Sequence, residues 1–106
     1  MRYEESTRVE LTEKLFEHIS KNHQGVLVNP SFEKDPDNLV LTVLNAPHQQ
    51  GIQFPITREA IEDASDSEEL LKHLTARVDF WLAKGLPYRP MGQPYQREPV
   101  TTKIFD

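Results

Sequence analysis

The chain has 106 residues, of which 37% are hydrophobic, and 17 acidic residues against 12 Lys and Arg give it a net charge of −5. This length suits a single domain, and the negative charge disfavours binding to nucleic acid or anionic lipid, because phosphate contacts rely on Lys and Arg. No apolar run approaches the roughly 18 residues of a transmembrane helix, the charged N-terminal stretch lacks a signal segment, and the absence of cysteine excludes disulfides. We therefore expect a cytoplasmic protein with no membrane partner.

The first predicted element is a helix over residues 8–23. Thr7 precedes Glu10 by three residues, which is the pattern of a capping box, where each side chain binds a free backbone N–H of the first turn. Apolar residues at helical spacing indicate one buried face: Leu11, Leu15, Phe16 and Ile19.

Three strands are predicted next. The first begins at Val26 and ends at the pair Asn29-Pro30. Residues 39–44 are almost continuously apolar and rich in β-branched side chains, which favours a central strand. Apolar residues alternate over 52–56, and because Pro55 has no N–H to donate, we expect this third strand to end there or to lie at a sheet edge.

Two helices follow the strands. Thr57 is suited to cap a short helix over residues 58–64, and Asp66 or Ser67 is suited to cap a longer one over residues 67–84. The longer helix has an apolar stripe at helical spacing: Leu70, Leu71, Leu74, Val78, Trp81 and Leu82.

The order α-β-β-β-α-α predicts an α+β fold, in which an antiparallel sheet of three or four strands carries helices 8–23 and 67–84 on one face. The fourth strand would be residues 100–105. We expect residues 1–85 to form the domain and residues 86–106 to form an extended tail rich in proline and tyrosine. The predicted core comprises Leu11, Leu15, Phe16, Ile19, Val26, Leu41, Val43, Ile52, Phe54, Ile61, Leu71, Leu74, Val78 and Trp81.

The sequence contains no recognisable motif of an enzyme, a metal site or a cofactor site. His18 and His23 are five residues apart, whereas two histidines of one helix share a metal at a spacing of four. His48 and His73 have no second ligand at a useful spacing. There is no G-x-S-x-G nucleophile, and four separated glycines form no phosphate-binding loop. We expect a non-catalytic protein without cofactor; a pocket joining His18 or His73 to a carboxylate would instead favour a minor enzyme or ligand-binding domain.

The first candidate binding surface is the acidic segment, residues 59–69, which has six acids and no base: Glu59, Glu62, Asp63, Asp66, Glu68 and Glu69. The simplest interpretation is a solvated helix surface whose negative charge suits a helix N-terminus. The functional interpretation is docking onto a partner protein with a basic surface. A sharper alternative is a phage-type inhibitor that blocks a nucleic-acid-binding host protein, although a net charge of −5 is small for that role.

The second candidate surface lies in the tail, where prolines are interleaved with Tyr88, Arg89, Met91 and Tyr95. Extended backbone and aromatic anchors limit the entropy that a segment loses when it binds another surface. The alternative is that the tail packs on its own domain. A strand at 100–105 would pair either within its own sheet or with the edge of a second copy, which would give a homodimer.

The order α-β-β-β-α also occurs in double-stranded-RNA-binding domains, which contact phosphates through a Lys-rich helix start. The corresponding stretch here is Asp66-Ser-Glu-Glu69, so we expect no direct binding to nucleic acid.

The run from Ile52 to Glu62, followed by an acidic break, an amphipathic helix and the segment Val-Thr-Thr-x-Ile-Phe, resembles a family of small bacterial proteins of unknown function. Helix 8–23 and the proline-rich insertion depart from that pattern. The resemblance implies a compact α+β fold and assigns no activity or site residue. We accordingly predict a small, non-catalytic protein-binding or regulatory protein of a bacterium or phage.

Overall fold

The computed structural model describes residues 1–106. Its elements in chain order are α1 (Glu5–Ser20), β1 (Leu27–Glu33), β2 (Asn38–Asn45), β3 (Gln50–Thr57), α2 (Arg58–Asp63), α3 (Ser67–Lys84) and β4 (Gln96–Arg97), with 3-10 turns at Ala46–His48 and Thr102–Phe105. The predicted α+β fold and the order α-β-β-β-α-α are confirmed. None of the helices combines the length and the apolar character that crossing a membrane requires.

The four strands lie in the order β1-β2-β3-β4. β1 and β3 each run antiparallel to β2, whereas β4 runs parallel to β3. The sheet is therefore mixed rather than wholly antiparallel. The parallel pair arises because α2 and α3 carry the chain back before it lines up beside β3, as a parallel connection requires.

One face of the sheet is covered by the helices, and alternation along the strands decides which side chains it buries. Leu41 of β2 and Phe54 of β3 are opposite each other and fully buried on this face. The helices add α1 and α3 residues at helical spacing to the same core: Leu11, Leu15, Ile19, Leu70, Leu74 and Val78. Every residue of the predicted core is buried except Phe16, which is 43% exposed because it is rotated by about 100° from Leu15 around α1.

The other face, called the open face below, carries the alternate residues of each strand. Asn38, Val40 and Thr42 of β2 point to it and are nevertheless buried. Long side chains of the neighbouring strands cover them: the Gln53 amide donates a hydrogen bond of 3.1 Å to the Thr42 hydroxyl. Part of the open face is thus covered by side chains of the sheet itself.

The structure corrects the predicted boundaries of α1 and β1, and α1 ends at Ser20 rather than at residue 23. α1 begins at Glu5, so Thr7 is buried within its first turns and donates from its hydroxyl to the Arg2 carbonyl over 2.6 Å instead of capping the helix. β1 continues through Pro30 to Glu33. Along an edge strand, the backbone N–H and C=O groups of alternate residues face the neighbouring strand or the outer edge of the sheet. Pro30 is at a position that faces the outer edge, so its missing N–H costs no hydrogen bond.

Residues 86–100 run along the side of β3 that faces away from β2. The Gly51 N–H donates to the Pro87 carbonyl over 2.9 Å, and the Glu98 N–H donates to the Gln53 carbonyl over 2.8 Å. The Val100 N–H reaches the Pro55 carbonyl over 2.8 Å. β3 is therefore an internal strand that continues past Pro55, contrary to the prediction. The missing N–H of Pro55 faces the tail, and β4 accordingly contains only two residues.

The predicted strand over residues 100–105 is wrong. Val100 makes an isolated bridge with Ile56, and Thr102–Phe105 form a 3-10 turn whose first residues are capped by the Thr101 hydroxyl. A 3-10 turn presents no strand ladder, so the structure gives no support to a homodimer through this segment.

Candidate binding surfaces

The acidic segment spans α2 and the first turn of α3, both of which begin as the sequence predicts. The Thr57 hydroxyl accepts from the Ala60 N–H over 3.1 Å, and the Asp66 carboxylate accepts from the Glu69 N–H over 3.1 Å. These caps satisfy backbone donors that have no partner within the helix. Asp66 therefore has a structural role at the start of α3.

Most of the other acids in this segment are also engaged within the chain. Glu62 lies 3.3 Å from Arg58, and Glu68 lies 3.4 Å from Lys14 of α1. The Glu69 carboxylate accepts from the Ser65 hydroxyl over 3.1 Å. Only Glu59 and Asp63 are exposed without an ion pair or a side-chain hydrogen bond. Glu62 and Glu68 are thus ion-paired, whereas the carboxylates of Asp66 and Glu69 are held by neutral donors and keep their charge.

Arg58 lies directly before the acidic segment and neutralises part of its negative charge. Its guanidinium contacts Asp37 at 3.3 Å as well as Glu62, and these two carboxylates raise the pKa of Arg58. The same guanidinium lies 5.4 Å from the centre of the Tyr3 ring. The acidic segment therefore lies beside a cation that Glu62 shares with Asp37.

A polar groove of about 350 Å³ separates α1 from α3. At one point the Lys14 ammonium donates to the Ser67 hydroxyl over 2.9 Å, and at another His18 Nε2 lies 2.8 Å from Asp79 Oδ1. The groove therefore holds His18 beside a carboxylate, as the enzyme hypothesis requires. His73 lies elsewhere, edge-on to Phe105 at 6.4 Å between ring centres.

The two pairs in the groove do not combine into a nucleophile with its base. Ser67 and Asp79 are twelve residues apart on α3, which separates them by about 18 Å along the helix axis. Hydrogen bonding to Glu10, followed by Glu68, raises the pKa of Lys14, so its ammonium stays protonated and cannot accept the Ser67 proton. No group of three or more His, Cys, Asp or Glu residues is arranged to hold a metal ion.

The tail surface, defined by Tyr88, Arg89, Met91 and Tyr95, has a different character. Met91 is 86% exposed and Tyr88 is 66% exposed, which are the highest values among the large hydrophobic side chains of the protein. The Arg89 guanidinium stacks on the Tyr95 ring at 4.1 Å from its centre and donates to the Gln93 carbonyl over 2.9 Å. Two apolar side chains therefore stand out beside a rigid cation–aromatic pair.

Gly51 anchors this surface to the sheet. A Cβ atom at position 51 would lie 2.6 Å from Cε1 of Tyr95, which is closer than two such carbon atoms approach. Only glycine allows the Tyr95 ring to lie flat against β3 on the open face. A glycine inside an alternating strand signals a close approach of this kind, and the sequence prediction overlooked it.

A cleft of about 160 Å³ opens between the tail surface and the end of the β2–β3 hairpin. Gln49, at its edge, is held in the left-handed region with φ 51°, and its carbonyl accepts from the Arg89 N–H over 2.8 Å. The cleft is lined by apolar and uncharged side chains and one arginine: Leu44, Ala46, Gln49, Gln50, Met91, Tyr95 and Arg89.

The opposite end of the open face is closed by an ion pair. Arg97 of β4 reaches across the sheet and donates to both carboxylate oxygens of Glu33 on β1 at 2.8 Å each. Hydrogen bonds from Asn38 and then from Arg97 lower the pKa of Glu33. The sequence prediction missed this pair, since the two residues are 64 positions apart and no local pattern joins them.

Comparison of the chain with protein-family models, with curated proteins and with solved structures finds no match. The resemblance to small bacterial proteins of unknown function therefore stays a prediction. The surfaces described above are the basis on which a function can be argued.

Proposed function

We propose that this chain is a small, non-catalytic protein-binding protein, of regulatory type, that contacts its partner through the tail surface. The observation that carries this proposal is the exposure of Met91 and Tyr88 beside the cleft, on a backbone that hydrogen bonds hold against β3. Exposed methionine and tyrosine side chains are favoured at protein interfaces, and an ordered backbone reduces the entropy lost on binding. Their arrangement supports a preformed contact surface.

The acidic segment supports the rival proposal, docking onto a basic partner or inhibition of a nucleic-acid-binding host protein. Two of its six acids are ion-paired with Arg58 and Lys14, and hydrogen bonds from neutral donors hold Asp66 and Glu69 within the chain. Attraction through exposed surface carboxylates is weak and salt-sensitive. The tail surface is the stronger candidate for this reason.

The test compares capture of partner proteins from a cell lysate of the source by the immobilised wild-type chain and by matched variants. The double variant Tyr88→Ser/Met91→Ser alters only exposed side chains, so we expect it to fold normally and to lose the captured protein. Phe80→Ser is the control, since Phe80 is 59% exposed on α3, away from the cleft. We expect the control to retain capture.

A third variant addresses the acidic segment. Glu59→Lys/Asp63→Lys reverses the two carboxylates that have no ion pair or side-chain hydrogen bond, and it leaves the caps of α2 and α3 intact. We expect capture to persist with this variant at physiological salt. Loss of capture here, together with retention by the tail double variant, would transfer the binding function to the acidic segment.

A further inference from the structure

Arg89 is the arginine whose surroundings differ from those of the others. Four of the six arginines lie within 4.0 Å of a carboxylate: Arg8, Arg58, Arg77 and Arg97. Arg2 is exposed near the N-terminus and does not line the cleft. Arg89 is half-buried in the wall of the cleft, and no acidic residue lines that cleft.

This placement leaves a positive charge unmatched in a chain of net charge −5. One face of the guanidinium is stacked on Tyr95, and Nη1 donates to Gln93, which fixes the plane of the group. The remaining N–H groups of Arg89 are donors in a fixed geometry, and guanidinium donors pair best with a planar carboxylate. The cleft thus offers a prearranged partner for a negative group.

The rest of the cleft sets the shape and polarity of the occupant. Its volume of about 160 Å³ is below the roughly 300–1,000 Å³ of pockets that bury a drug-sized ligand, so the cleft suits a small group. Leu44, Ala46 and Met91 supply apolar wall. An occupant that fills the cleft therefore has a short apolar group within a few bonds of a carboxylate.

We propose that the cleft binds the C-terminal residue of a polypeptide partner, with the terminal carboxylate on Arg89 and an apolar side chain against Leu44 and Met91. A C-terminal Leu, Val or Ile carries both groups on one Cα atom, whereas an Asp or Glu side chain carries the charge without the apolar group. This inference rests on the proposed function, because it names the part of the partner that the tail surface recognises.

The experiment titrates the ¹⁵N-labelled full chain with a five-residue peptide that ends in a free Leu carboxylate and follows backbone amide shifts by NMR. We expect saturable shifts at Gln49, Gln50 and Arg89. The same peptide with a C-terminal amide is expected to bind at least tenfold more weakly, since it lacks the charged partner of the guanidinium. Equal binding of acid and amide would overturn the inference.

Two variants, each of which removes one positive charge, distinguish binding in the cleft from long-range electrostatic attraction. Arg89→Gln is expected to weaken binding of the free-acid peptide at least tenfold, whereas Arg2→Gln leaves it within about twofold. Equal losses in both variants would show general attraction to the protein and would contradict the site. Backbone amide shifts that differ between Arg89→Gln and the wild type only at residues 88–96 and at the end of the β2–β3 hairpin verify that the variant remains folded.

Two further probes identify the source of the carboxylate. 4-Methylpentanoate has the same branched apolar group at the same distance from its carboxylate as a C-terminal Leu but no peptide chain, and we expect it to bind at least tenfold more weakly than the peptide. Equal affinity would reassign the cleft to a small carboxylic acid. If no peptide binds while capture of the partner still depends on Tyr88 and Met91, the cleft inference fails and the proposed function stands. If the peptide binds while capture does not depend on Tyr88 and Met91, the proposed function fails.

Discussion

The two faces of the sheet bury the same strand by different means. On the helix-covered face, Leu41 belongs to an apolar cluster with side chains of α1 and α3, while on the open face its neighbour Thr42 accepts a hydrogen bond from Gln53. Packing of apolar groups is additive and non-directional, whereas hydrogen-bonded cover depends on the position of each polar atom. The difference implies that the helix-covered face provides most of the stability and that the open face can be altered without unfolding the protein.

The largest expected effect lies on the helix-covered face. Phe54→Ala removes a fully buried aromatic side chain from the centre of the core and leaves a cavity, so the free energy of unfolding should fall by about 3–5 kcal/mol. Urea denaturation followed by circular dichroism measures it. The control Phe80→Ala, at an exposed site, should change it by less than about 1 kcal/mol. Similar losses of stability in both variants would contradict the assignment of Phe54 to the core.

An intermediate effect is expected where the open face meets the tail. Gly51→Ala forces the Tyr95 ring away from β3, and the free energy of unfolding should fall by about 1–3 kcal/mol. The cost should shrink when Tyr95→Ala is already present, because the overlap is then absent. Denaturation of the two single variants and the double variant gives the coupling energy. Strictly additive losses would contradict the contact between position 51 and the ring.

The smallest effect is expected at the pair that crosses the open face. The pKa of Glu33 is lowered in the folded state, so its carboxylate stabilises the fold above the ordinary pKa of 4.5, and this contribution is lost as the pH falls through the folded pKa. The pair is partly exposed to solvent, which limits the contribution to about 0.5–1 kcal/mol.

Thermal unfolding of the wild type and of Glu33→Gln between pH 3 and pH 7 tests this sign. The wild type should be the more stable protein at pH 6, and the difference should shrink below pH 4.5. The difference should also shrink at high salt, because the pair is accessible to ions. A difference that is constant over the whole pH range would exclude a charge effect at Glu33.

Local patterns predicted the parts of the fold that depend on neighbouring residues. The caps at Thr57 and Asp66, the length of α3 and nearly all of the core follow from spacing and from polar residues at helix starts. The start of α1 was misplaced because Thr7 and Glu10 match a capping box while the chain continues as helix on the N-terminal side of Thr7.

Contacts between distant parts of the chain were not predictable in the same way. Pro55 was expected to end its strand or to place it at a sheet edge. The sequence does not show that its missing N–H faces the tail, where β4 pairs with only two residues of β3. The pairing of Arg97 with Glu33 and the stacking of Arg89 on Tyr95 likewise depend on how the tail returns to the sheet. The acidic segment was visible in the sequence, but its ion pairs with Arg58 and Lys14 were not predicted.

The return of the tail to β3 also has a consequence during synthesis of the protein. Roughly 40 residues separate Thr57 from Val100, and at about 5–20 residues per second a ribosome needs about 2–8 seconds to make them. During that time β3 can pair with β2 while its other side exposes unpaired N–H and C=O groups, which favour association between chains. Pro55 lies on that exposed side and interrupts its row of donors, and we expect this interruption to disfavour pairing of β3 with a second chain before the tail is made.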